Sequence, residues 1–421
     1  MSATGKVIWL LLLALLPPLT AQAAQPKGWA YQLFVDRELW QQQRIDVAAR
    51  LQSGLSIDNS GNELFSRDGF SLNRIELLLE KPLRSRVAPG GYADAGSRRP
   101  NWDWGFLVEA RYGEDFNPLY GFDDDWGLNR AHRNKLSLPQ WLLKGYAPLG
   151  GGTVLQLGNF VSPVGNEGDA PTDPPQPFYS RSLAYEYGPK RHVGGLLSSR
   201  LPLADEYGLW SVDLGLVQGW DNLQDNNDRP SLIAALHRRS RDKRLELDME
   251  AIWGDEQSQD GITDQRPFVA LSDDGRGLAR SFYSLSLRHW PDADKRWRYV
   301  LNAVHGRQQG GDPAFDGGSD GLIVEDSEWY GANAALIRQL RDDLQLAVRY
   351  EWFRDRDGAH AERATGINRS WTLNLSWYPQ PWLRVRPELR YDRFDGAFGV
   401  NEISGSDADQ LRFSIDATVF L

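Results

Sequence analysis

From about residue 44 to residue 421, apolar and polar side chains alternate with a period of two, in segments of roughly nine to twelve residues separated by turn-forming stretches. Successive side chains of a strand point to opposite faces, so each segment carries one apolar and one polar face. The clearest runs from Arg244 to Gly254. Leu245, Leu247, Met249, Ala251 and Trp253 share one face, and Arg244, Glu246, Asp248 and Glu250 share the other. A soluble sandwich also alternates. It does not place charge on the inner face of nearly every strand with apolar, Trp-flanked faces opposite. Tilted strands of this length cross a hydrocarbon core, and a sheet in lipid must close on itself because lipid offers its edges no hydrogen-bond partner. The expected fold is therefore all-β, a transmembrane antiparallel up-and-down β-barrel.

The segments fall at 44–56, 70–81, 102–112, 138–148, 153–161, 191–201, 208–220, 230–238, 243–254, 280–290, 296–306, 328–340, 344–354, 369–378, 382–392 and 410–421. That makes about 16 strands, the even number that single-chain bacterial barrels use. Connections alternate in length. Short turns lie at 149–152, 202–207, 239–242, 291–295, 341–343 and 379–381, with long loops between them, as expected for periplasmic turns and outer loops. One connection breaks the pattern: 82–101, rich in Pro, Gly and Arg, is long where a short turn belongs, and it reads as an insertion.

The start of the chain points to export. Val7–Leu16 reads VIWLLLLALL, preceded by Lys6 and followed by Pro17-Pro18 and Ala21-Gln22-Ala23, the three regions of a secretory signal peptide and too short an apolar run to span as a helix. The expected division is a signal peptide at 1–23, an N-terminal periplasmic segment at 24–43 and an outer-membrane barrel at 44–421. Trp29, Tyr31, Phe34 and Trp40 suit an arm or a small plug in the second of these. With no cysteine, disulfide scaffolds and thiolate metal sites are excluded. Seventeen Trp and 41 Gly against two Met suit β-structure with wide turns. A net charge of -10 speaks against nucleic acid as a partner. The last strand alternates up to Phe420 and Leu421, so it stops on an outward apolar residue as the closing strand of a barrel, with barrel-assembly machinery an expected partner.

Five separated blocks carry a resemblance. Gly158-Asn159-Phe160-Val161-Ser162-Pro163-Val164-Gly165 resembles the GxFxxPxG stretch of outer-membrane porins. It is followed by Phe178-Tyr179-Ser180-Arg181-Ser182, by Val217-Gln218-Gly219-Trp220-Asp221-Asn222 with Asp225 to Asp228, by Tyr350-Glu351-Trp352-Phe353-Arg354-Asp355, and by Arg386-Pro387-Glu388-Leu389-Arg390-Tyr391-Asp392. Over about residues 150 to 421 the chain resembles the OmpL-like family of β-barrel porins; the first 150 residues match in pattern only. The resemblance implies a Gram-negative outer-membrane channel for passive diffusion of small hydrophilic solutes or ions. It names no solute.

A barrel of this size encloses a water-filled lumen, and charges plus any inward loop set its selectivity. The residues expected to line it include Arg44, Arg50, Arg74, Arg384, Arg386, Arg390 and Arg412 on the first and last strands, and Glu246, Asp248 and Glu250 about half the barrel away. A basic wall facing an acidic one sets up a transverse field that orients zwitterions or sugars. Equally, Asp46, Glu388, Asp392 and Asp416 can pair with these arginines into a structural network. Residues 162–190 sit where porins fold a constriction loop inward. They carry Glu167, Asp169 and Asp173 among Pro171, Pro174, Pro175 and Pro177, prolines that lower the entropy cost of a fixed loop. Arg181 in this loop is expected either to reach the pore or to anchor the loop to the wall.

Asp221, Asp225, Asn226, Asn227 and Asp228 offer oxygen ligands of the kind Ca²⁺ takes, and equally form a solvated loop. Six scattered His show no paired ligand spacing, and Ser198-Ser199-Arg200 lacks the glycines of a nucleophile elbow. No metal, cofactor or catalytic residue is assigned. Other readings left open are a substrate-specific sugar or oligosaccharide channel and a plugged structural or adhesin barrel, with oligomeric state undetermined.

Overall fold

The computed structural model describes residues 43–58, 69–91, 101–114, 134–167, 176–221, 223, 228–256, 278–309, 326–357, 365–397 and 408–421. The strands are β1 Asp46–Asp58, β2 Gly69–Lys81, β3 Asp103–Gly113, β4 Lys135–Ala147, β5 Thr153–Val161 and β6 Arg191–Arg200. Next come β7 Leu209–Val217, β8 Ser231–Arg239, β9 Leu245–Glu256, β10 Leu278–His289 and β11 Trp297–Gln308. The last five are β12 Ser327–Arg341, β13 Leu344–Asp355, β14 Thr365–Gln380, β15 Leu383–Ala397 and β16 Ala408–Phe420. Each pairs antiparallel with its sequence neighbours, and β1 pairs with β16 to close the barrel. The closing ladder runs from Arg50 opposite Phe420 to Asp58 opposite Arg412. Both chain-terminal strands thus begin or end at the short-turn rim.

The barrel is inside-out relative to a soluble protein. On β7, Asp213 is 0 % exposed while its neighbour Leu214 is 54 % exposed. The same inversion sets Leu373 against Thr372 on β14 and Leu77 against Glu76 on β2. The outer face is thus apolar and exposed, and the polar face turns to the lumen.

The inner face is not polar alone. Toward the long-loop ends of β5 to β13, Phe160, Ile233, Ile252, Phe282, Trp329 and Phe353 are buried in one apolar cluster, beside buried polar groups such as Arg280 and Asp355. The apolar side chains pack around a short helix, α1 (Leu183–Glu186), that the β5–β6 connection brings inside, together with Tyr187. The Tyr187 ring lies 4.5 Å from Phe353, centroid to centroid. Room for these rings comes from inward glycines: a Cβ on Gly306 would strike the Trp329 ring, and one on Gly331 the Phe353 ring.

Two sequence-level placements also shift. Arg44 precedes β1, in left-handed backbone with φ 57°. Arg244 precedes β9 in the turn, where its guanidinium pairs with Asp242 instead of facing the lumen.

Candidate functional site

The β5–β6 connection, residues 162–190, is pinned at its base and then along its length. At the base, Ser162 N–H donates to the Lys190 carbonyl at 2.8 Å. The fully buried His192 bridges the Ser162 hydroxyl at 2.9 Å and the Gly219 carbonyl at 3.0 Å. Asp221 accepts the backbone N–H groups of Lys190 and Arg191 at 2.9 and 2.8 Å. Asp221 therefore holds the loop base; Asp225, Asn226 and Asn227 of the candidate Ca²⁺ loop lie outside the described residues. Ser182 caps α1 by accepting from Tyr185 N–H at 3.2 Å, and the Lys190 ammonium closes its other end on the Glu186 and Gly188 carbonyls at 3.0 and 2.6 Å.

Inside the lumen the loop backbone has no ladder to pair with, so its donors and acceptors need other partners. Carboxylates from the wall take the N–H groups. Gly165 donates to Glu250 at 2.7 Å, Leu183 to Glu351 at 2.9 Å, and Tyr179 and Ser180 to the two oxygens of Glu388 at 2.8 and 3.0 Å. Arginines take the carbonyls. Arg386 donates to Gln176 and Phe178 at 2.9 and 2.8 Å, Arg390 to Arg181 at 2.8 Å, and Arg349 to Ser180 at 3.2 Å. The loop thus runs from the β9 wall to the β13–β15 wall, held by opposite charges matched to opposite backbone dipoles.

A bulge supplies one further anchor. Opposite Gln52 and Ser53 of β1, the β2 register skips Asn73, so that Asn73 and Arg74 are both buried. Asn73 Nδ2 donates to the Tyr179 hydroxyl at 3.0 Å. Gly54 lies beneath that ring, where any Cβ would collide with it.

The expected lining residues fall as follows. Arg50 pairs with Glu76 at 2.6 Å, and Arg74 lies 3.7 Å from the same carboxylate. Arg44 forks onto Asp103 with bonds of 3.0 and 2.6 Å at the rim. Arg384 donates to Thr418 at 3.3 Å and the Gln176 carbonyl at 3.4 Å. Arg386 is bidentate to Asp416 at 2.8 and 3.0 Å, and Arg390 grips Asp392. Arg412 is buried on β16, in register with Arg390. On the far wall, Glu246 lies 3.1 Å from Arg239, and Asp248 binds Arg288 at 2.5 Å and His237 at 2.7 Å. Glu167 accepts from Ser182 N–H and pairs with Arg349 at 3.3 Å. The Arg181 guanidinium lies 4.9 Å from the Tyr185 ring centre, while its carbonyl anchors the loop. Asp169 and Asp173 lie outside the described residues.

His237, Asp248 and Glu250 each offer a ligand atom within 4.8 Å of one another. The Arg288 guanidinium already supplies a cation to Asp248, and both His237 nitrogens are engaged.

The five sequence blocks converge on this one loop. GNFVSPVG and FYSRS contribute its backbone, VQGWDN its base, YEWFRD supplies Glu351 and Asp355, and RPELRYD supplies Arg386, Glu388, Arg390 and Asp392. Over residues 46–421 the sequence matches the family described as "Putative beta-barrel porin-2, OmpL-like". The chain belongs to this porin family. Solved structures place the porin in familiar company. The anion-selective porin from Comamonas acidovorans aligns with a TM-score of 0.54 at 8% identity, covering 90% of this chain and 99% of that one. The outer membrane channel DcaP of Acinetobacter baumannii gives 0.53 at 12% identity, covering 90% and 97%. The trimer form of OmpT from Vibrio cholerae gives 0.53 at 11% identity, covering 90% and 99%. These likenesses show the fold. No curated protein sequence matches the chain.

Sequence reasoning missed Asn73, Tyr179, His192 and Tyr187 as loop anchors. The Tyr187 hydroxyl donates to Asp355 at 3.0 Å, and Asp355 stood in a resembling block that could have flagged it. Asn73 had no such signal, because the bulge that turns it inward is a property of the β1–β2 register.

Proposed function

We propose that this outer-membrane porin passes small hydrophilic solutes by diffusion, through a lumen narrowed by residues 162–190 and crossed by a transverse field. The observation that carries the reading is the loop itself, fixed inside a closed barrel by buried charges from β9 on one side and β13 and β15 on the other. In the ring, β9 stands eight places from β1 in either direction. The arginines of β15, β16, β1 and β2 therefore face Asp248 and Glu250 across the lumen. Guanidinium groups keep charge and orientation across working pH. Asp416 and Asp392 neutralise part of the basic wall through Arg386 and Arg390.

The same reading assigns residues 1–23 to export, and lipid and barrel-assembly machinery to its partners in the outer membrane. The trimer form of the solved Vibrio cholerae neighbour supports a homo-oligomer. The chemistry assigned is transport without catalysis.

Single-channel recording of the refolded protein in a planar bilayer tests the proposal. Steady ohmic steps are expected in KCl, and the Arg384→Ala/Arg386→Ala variant should shift the reversal potential in a salt gradient toward cations. An unchanged permeability ratio overturns the field. Saturable block by added sugars would instead mark a substrate-specific channel, and a well-folded barrel without conductance would be a plugged one.

A further inference from the structure

The β2–β3 connection leaves from the short-turn end, where its neighbours are tight hairpins, yet its described part does not stay at the rim. Val87 is 1% exposed and packs with Tyr146 of β4 and Val154 of β5. Its N–H donates to the Ser85 hydroxyl at 3.0 Å, which folds the chain back on itself. Ala88 and Gly91 then exchange backbone bonds of 3.3 and 3.0 Å around Pro89-Gly90. Gly90 has φ +75°, and Pro before a glycine of positive φ is the chemistry of a type II turn.

The tip of this turn reaches β7. Gly90 N–H donates to Asp213 at 2.7 Å, and the Ser211 hydroxyl donates to the Gly91 carbonyl at 3.4 Å. Asp213 stands four residues inside β7, roughly 13 Å along the strand from the short-turn end at about 3.3 Å per residue. It is wholly buried and also contacts His237 at 3.3 Å. His237 bonds Asp248 at 2.7 Å, Asp248 bonds Arg288 at 2.5 Å, and Arg288 donates to Asn166 at 3.1 Å. A single chain of polar contacts on β7 to β10 therefore joins this tip to the beginning of the inward loop.

We propose that residues 82–91 form a second constriction, entering from the short-turn end in series with residues 162–190, with Asp213 as the residue that positions it. The segment carries Arg84 and Arg86, whose guanidinium groups make no hydrogen bond or ion pair among the described residues. A hydrophilic solute leaving the loop-narrowed zone would pass these two cations, so the second constriction favours anionic over cationic solutes.

The proposal rests on the porin reading, and its test separates the two. Residues 84–90 are replaced by Gly-Ser, and heat-modifiability verifies the folded barrel. Removing one of two constrictions in series lowers the total resistance, so single-channel conductance should rise, by about twofold where the two contribute equally. Gly90→Pro, which removes the N–H and forbids the positive φ, and Asp213→Ala should move conductance the same way. A merely structural defect would lower the number of folded barrels without raising the current through each. Because the chain has no cysteine, a charged methanethiosulfonate reagent on Arg86→Cys reports that position alone, and it should lower the current. A folded shortened variant with wild-type conductance, or modification without effect, overturns the second constriction alone. A silent wild-type barrel overturns the porin reading and this inference with it.

Discussion

Glu388 on β15 accepts the backbone N–H of Tyr179 at 2.8 Å, across 209 residues of sequence. Its other oxygen takes the next N–H, of Ser180. One inward carboxylate thus satisfies two consecutive donors of a loop that has left its own sheet, while Arg386 and Arg390 on the same strand take the loop carbonyls on either side. The β15 strand acts as a template for the loop.

Glu388→Gln keeps the side-chain shape but replaces one acceptor oxygen with an NH₂ group that confronts an N–H. The expected cost is about 1–3 kcal/mol for the donor left unsatisfied, with a loop that fluctuates inside an intact barrel. Single-channel current noise should rise and the urea unfolding midpoint fall. Wild-type noise would show that Arg349, Arg386 and Arg390 hold the loop without it.

Gly331→Leu tests the inner apolar core. A side chain there collides with the Phe353 ring, which packs at a tilt of 47° against Tyr187. Overpacking of this kind costs about 1–3 kcal/mol, and α1 should lose its seat. Protease susceptibility between residues 183 and 190 should rise, whereas Ala234→Leu, on the opposite face of β8, should leave it unchanged.

Leu373 lies near the middle of β14 and is exposed to the outside. If that face meets hydrocarbon, Leu373→Arg should destabilise the folded barrel by roughly 2–4 kcal/mol, measured by refolding titration into lipid vesicles. A neutral result would place this face against protein or water.

The β8–β9 turn has its own acid sensitivity. The Ser240 hydroxyl, then the Arg244 guanidinium and N–H, hold the Asp242 carboxyl down to about 2. A depressed carboxylate stabilises the turn above its ordinary value of 3.8 and loses that contribution as pH falls from there toward about 2. Amide exchange at Leu245, whose N–H is bonded to Ser240 in this turn, should quicken over that window in the wild type and not in Asp242→Asn.

Much of the architecture was legible in the alternation. The strand expected at 153–161 is Thr153–Val161, and that expected at 44–56 is Asp46–Asp58. Strand ends drift because a boundary depends on where the neighbour stops pairing: β14 extends to Thr365–Gln380 because β13 and β15 continue beside it. Parity was hardest to read where both faces are apolar. On β8, Ile233 and Ala235 point inward while Leu232 and Leu236 point outward, and no charge separates them. The long 82–101 connection was visible as an exception, but its described half gave no local sign that it turns into the lumen.

The two-residue period, the even strand number and the alternating connection lengths determined a closed barrel, because each strand's faces are written in its own neighbours and lipid permits no open edge. What fills that barrel was decided only by closure. Gly165 meets Glu250, Tyr179 meets Glu388 and Gly90 meets Asp213 across 85, 209 and 123 residues of chain. Those contacts are chords of the ring. They exist only once every intervening strand has paired, since only then do buried charges on distant strands stand at hydrogen-bonding distance from backbone that has no other partner.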